Sequence, residues 1–72
     1  MAEAFMIALR GYDMAQVDAL LQQADDALAS GSETLRSTAR RAIQDAQFRQ
    51  RLRGYARYQV DQALRDRLQK LT

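Results

Sequence analysis

Two leucine-arginine pairs, Leu9-Arg10 and Leu52-Arg53, each stand immediately before a glycine and a tyrosine. A leucine beside a guanidinium on a tight loop offers an apolar wedge together with a charge that reaches phosphate oxygens. That is the chemistry of contact with a lipid surface, not of bond making. Glycine in third place permits a backbone turn that bulkier residues resist. The same residues also have an architectural reading, in which Leu9 and Leu52 close the end of a core while Arg10 and Arg53 pair with Asp18 or Asp61. Catalytic chemistry has little else to work with. The chain contains no His, Cys or Trp, carries no glycine-rich phosphate loop, and sets neighbouring acids such as Asp25-Asp26 in different directions around a helix, so no enzyme activity, cofactor or metal site is expected.

Both pairs belong to one repeated sentence. The segment 5–21 returns 43 positions later as 48–64, matching at Phe5/Phe48, Leu9/Leu52, Arg10/Arg53, Gly11/Gly54, Tyr12/Tyr55, Gln16/Gln59, Val17/Val60, Asp18/Asp61 and Leu21/Leu64. A repeat of this period means two copies of one supersecondary unit. Phe5, Gly11 and Tyr12, with Phe48, Gly54 and Tyr55, form the expected framework of the two loops, the phenylalanines anchoring them and the tyrosines stacking beneath and bonding backbone. Phe48 is expected within a helix and Phe5 in an extended segment.

The elements that must position these loops read as helices. Proline is absent, and Gly11, Gly31 and Gly54 punctuate stretches rich in Ala, Leu, Gln, Arg and Asp. Asp13 is placed to cap a first helix that ends at Ser30-Gly31, with Met14, Val17, Leu21, Ala24 and Leu28 along one seam and Leu20 widening it. Ser32 caps a second helix from about Thr34 to about Leu52. Gly54 closes that helix or kinks it, and a third runs from about Ala56 to Leu71 with Val60, Leu64, Leu68 and Leu71 on one side. Short connections make neighbours antiparallel. The expectation is one all-α domain over 1–72, three helices up-down-up with both Arg-Gly-Tyr loops at one end, as a bundle or as a helix-exchanged or coiled-coil dimer.

Composition narrows the partners. At 72 residues the core is small, no cysteine is available for staples, and apolar surface left by the first seam and the alanine-rich second helix points to a homo-oligomer. No apolar run approaches the roughly 20 residues of a membrane span, and no signal-peptide layout is evident, so a cytoplasmic protein is expected, peripheral at most to the inner membrane face. The net charge of +2 conceals a division. Residues 1–35 sum to −5, Arg10 standing against Glu3, Asp13, Asp18, Asp25, Asp26 and Glu33, whereas residues 36–72 sum to +7. The basic half can meet an anionic partner or remain a solvated helical surface.

The pattern Phe-x-x-x-Leu-Arg-Gly-Tyr-x-x-x-Gln-Val-Asp-x-x-Leu resembles the N-terminal domain of the DivIVA family, bacterial scaffold proteins that gather at cell poles and division sites. The duplication is similar to the small actinobacterial proteins with tandem DivIVA-type repeats. The resemblance covers residues 5–21 and 48–64. It implies a coiled-coil scaffold, two Arg-Gly-Tyr loops that cross at a tip, and membrane contact through Leu9-Arg10 and Leu52-Arg53. The function expected on these grounds is a non-catalytic, self-associating interaction module with peripheral membrane binding in cell division or polar growth. The rivals are a cytosolic adaptor for an acidic protein and a nucleic-acid binder using Arg36, Arg40, Arg41, Arg49, Arg51, Arg53 and Arg57. Nucleic acid is disfavoured because at 3.6 residues per turn these charges wrap the helix instead of forming a stripe.

Overall fold

The computed structural model describes residues 4–72, so Glu3 of the charge count lies outside the described residues. The chain forms β1 (Ile7–Tyr12), α1 (Met14–Ser30), α2 (Glu33–Gln44), β2 (Gln50–Tyr55) and α3 (Arg57–Leu71). This is a small α/β fold, three helices with a two-stranded antiparallel sheet, and it overturns the all-α expectation. Both Arg-Gly-Tyr segments are strands. Each supplies the other with backbone partners that a loop would have to seek in water.

The helix boundaries follow local chemistry. The Asp13 carboxylate accepts from the Gln16 amide at 3.0 Å, and α1 closes on Gly31 at φ 70°, a left-handed conformation that costs glycine nothing. The Ser32 hydroxyl likewise accepts from the Leu35 amide. The second helix, however, ends at Gln44 rather than near Leu52, so Phe48 lies in the connection and not in a helix. Gly54 neither caps nor kinks a helix. It lies inside β2, and pairing with the other copy takes that whole segment away from α2.

The core lies between the helices: Val17, Leu20, Leu21, Ala24 and Ala27 of α1 meet Ala39 and Ile43 of α2 and Val60, Ala63, Leu64 and Leu71 of α3. Met14, expected on the seam, is exposed, and Ala27 takes a place inside. The first and third helices run in the same sense. Tyr55, at the end of β2 just ahead of α3, meets Asp18 near the start of α1, and Arg67 further along α3 reaches Asp25 at 3.0 Å. The second helix runs the opposite way. Its Arg36 and Arg40 donate to the carbonyls of Lys70 and Leu71, satisfying acceptors that the end of α3 leaves open. Those two arginines are thereby occupied in architecture.

Leu21 and Leu64, equivalent in the repeat, are both buried. Replacing either with alanine is expected to cost on the order of 2–5 kcal/mol, lowering the melting temperature by at least about 10 °C in a domain of this size. Thermal melts unchanged in both variants would place the core elsewhere.

Candidate functional site

The two strands cross at the end of the molecule where α1 and α3 begin. Ile7 lies opposite Tyr55, Ala8 opposite Gly54, Leu9 opposite Arg53, Gly11 opposite Arg51 and Tyr12 opposite Gln50, an antiparallel register. It is closed at its ends by the Asp13 amide donating to the Arg49 carbonyl and the Ala56 amide donating to the Met6 carbonyl, both at 2.8 Å. Tyr12 is also paired with Tyr55, an irregularity in that register where the strands cross. At the crossing a β-carbon on Gly11 would lie 2.5 Å from the Tyr55 carbonyl oxygen, and one on Gly54 would lie 2.6 Å from the Gly11 carbonyl carbon. Only glycine lets the two backbones approach so closely.

Around the crossing, each copy of the repeat is completed by the other. The Tyr12 hydroxyl donates to Asp61 at 3.0 Å and the Tyr55 hydroxyl to Asp18 at 2.9 Å. Phe5 packs on the Tyr55 ring and Phe48 on the Tyr12 ring, with centroids 5.0 and 5.1 Å apart. The Met6 amide donates to the Gln59 side chain, and the Arg49 amide to that of Gln16. These reciprocal contacts make a pseudo-two-fold head within one chain. The tyrosines brace the crossing by bonding carboxylates and not backbone. Asp18 and Asp61 are therefore engaged by tyrosines, not by Arg10 or Arg53.

Leu9 and Leu52 are each 75% exposed, which removes the reading in which they close the core. Arg10 and Arg53 stand beside them, also exposed. Arg10 adopts φ 59°, the left-handed region that costs a side-chain-bearing residue energy, whereas its counterpart Arg53 does not. Met6, Ile7 and Tyr58 add exposed apolar surface at the same end. Segments 6–13 and 49–58 carry Arg10, Arg49, Arg51, Arg53 and Arg57 against the single acid Asp13. The four residues singled out from sequence thus converge on one basic, partly apolar tip.

Besides capping α1, Asp13 has a second partner. Its other oxygen accepts from Arg51 Nε at 2.7 Å. The Arg51 guanidinium and then the Gln16 amide hold the Asp13 carboxyl below its ordinary 3.8. A lowered folded pKa means stability that is complete above the ordinary value and is lost as pH falls through the folded one. Wild-type melting temperature should therefore fall more steeply below about pH 4 than that of Asp13→Asn. Equal acid slopes in the two proteins would remove Asp13 from this role. The tyrosines act at the other extreme. Burial, then the Asp61 bond, raises Tyr12, and the Asp18 bond, then burial, raises Tyr55, so their contribution is lost only as pH rises through values above 10.

Comparison with family models, with curated proteins and with solved structures yields no match to this chain. Among the described residues no helix is long and apolar enough to cross a membrane.

Proposed function

We propose that the chain is a non-catalytic, self-associating scaffold module of the DivIVA type, docking on an anionic membrane surface through Leu9-Arg10 and Leu52-Arg53. The observation that carries this reading is the exposure of two equivalent leucines, each beside an exposed arginine, on backbone hooks locked by the Gly11-Gly54 crossing. Exposed leucine has a cost in water that a lipid interface removes, and the surrounding arginines favour an interface carrying phosphate. Each pair alone binds weakly. Their presence on one rigid head lets both engage one surface, and self-association multiplies the effect further.

The test is co-sedimentation with anionic and zwitterionic vesicles, set beside a duplex-DNA mobility shift at the same salt. Binding to anionic vesicles alone, weakening as salt rises, is the expected result. A protein that ignores both vesicles and DNA would instead favour an adaptor whose basic tip meets an acidic protein.

A further inference from the structure

The two copies of the repeat differ where their helices begin. Asp13 and its partner Arg51 in one half correspond to Ala56 and Ala8 in the other, so a carboxylate and the guanidinium that neutralises it are both missing. Nothing replaces the cap: α3 starts without a side-chain hydrogen bond. The space is a depression of about 520 Å³ lined by Ala8, Ala56, Arg10, Arg57 and Tyr58 among others. Arg57 and Tyr58 occupy the positions of Met14 and Ala15 in the first copy, so this half has gained a cation and an aromatic ring as it lost its internal anion.

Among the described residues, neither Arg10 nor Arg57 forms a salt bridge or side-chain hydrogen bond. Asp61 also lines the depression, but one of its oxygens already accepts from Tyr12. Two guanidiniums therefore face one engaged carboxylate. The first copy shows what the equivalent place accommodates, namely an oxyanion taking a helix amide with one oxygen and a guanidinium with the other.

We propose that this depression seats the phosphate group of a phosphate ester, held by Arg10 and Arg57 where the first copy places the Asp13 carboxylate. Two guanidiniums and the Gln59 amide, the counterpart of the Gln16 amide, ask for three acceptor oxygens. A phosphate monoester has three and a carboxylate only two. Tyr58, 77% exposed, offers a ring face to the carbons next to the ester, and Leu9 borders the same depression. The headgroup of phosphatidic acid, a lipid phosphate monoester, meets both requirements at once. In naming lipid as the source, the inference rests on the membrane reading; the phosphate seat stands apart from it.

Two probes and three variants test the seat. The probes are glycerol 3-phosphate, titrated to about 10 mM so that a millimolar site is detected by amide shifts, and phosphatidylcholine vesicles with or without phosphatidic acid. Ala56→Asp restores the internal carboxylate, Arg57→Gln removes one guanidinium, and Met14→Asp adds the same charge as the first at the start of α1. The expected result is that Ala56→Asp melts higher than wild type, and that it and Arg57→Gln bind phosphatidic acid vesicles roughly tenfold more weakly, as loss of a charge-assisted contact requires. Met14→Asp should lose much less. If glycerol 3-phosphate also shifts the Gln59 amide in wild type but not in Ala56→Asp, the seat accepts free esters as well; if only vesicles respond, it is a headgroup seat. Wild-type binding that Ala56→Asp and Arg57→Gln weaken no more than Met14→Asp overturns the seat and leaves the membrane reading intact. Wild-type binding to glycerol 3-phosphate but not to vesicles keeps the seat and overturns the membrane reading, and binding to neither probe overturns both.

Discussion

Alanine at Gly11 or Gly54 is expected to unfold the head of the molecule. The added carbon at either site would collide with backbone of the other strand, and backbone cannot swing aside as the end of a side chain can. Relief requires the strands to part. That separation would release the terminal amide bonds of Asp13 and Ala56 and both tyrosine-carboxylate bonds, since all depend on the crossing. The loss should reach about 4 kcal/mol or more, in the exceptional range for a single substitution, where the whole stability of such a domain is on the order of 5 kcal/mol. Gly31→Ala provides the contrast. Gly31 has nothing within 4 Å of the added carbon and suffers only from its φ of 70°, a penalty of about 1–2 kcal/mol. Circular-dichroism melts of the three variants decide the matter: a cooperative transition at the wild-type temperature in Gly11→Ala or Gly54→Ala would show that the strands do not cross as described.

Replacing Leu9, Arg10, Leu52 and Arg53 together by serine is expected to abolish sedimentation with anionic vesicles while leaving the fold in place. The four side chains are exposed, so removing them opens no cavity. Burial of two leucines in an interface and approach of two arginines to an anionic surface together contribute about 5 kcal/mol, a few thousandfold in affinity. Both pairs should contribute, because both leucines are 75% exposed. Leu52 does not turn inward, contrary to what a longer second helix would have required. Unchanged sedimentation by a variant of wild-type helicity and mass would move the contact to Met6, Ile7 and Tyr58. Wild type that fails to sediment at low salt would sink the membrane reading.

The duplicated sequence is what makes these tests symmetrical, and the departures from symmetry carried a signal that reading for matches passes over. Ala8 stands against Arg51 and Ala56 against Asp13. Taken singly, each substitution says little. Taken together they are the loss of an ion pair, but recognising that requires knowing that residues 38 apart in the chain meet.

What the sequence determined by itself is local. Asp13, Ser32 and Gly31 fix three helix ends because a cap acts within one turn of its own residue, and the spacing of Val17, Leu21 and Ala24 or of Val60 and Leu64 selects the buried face because helical periodicity needs no distant partner. The duplication also revealed that one unit was used twice. The strand state of Ile7–Tyr12 and Gln50–Tyr55 was decided only in three dimensions. Neither segment alternates cleanly, and a strand gains its hydrogen bonds from a neighbour that here lies 43 residues away, so nothing within either window distinguishes it from a loop or a helix end. The fate of Gly54 was settled in the same way, since a glycine's freedom leaves open whether it ends a helix or admits another backbone until that backbone arrives.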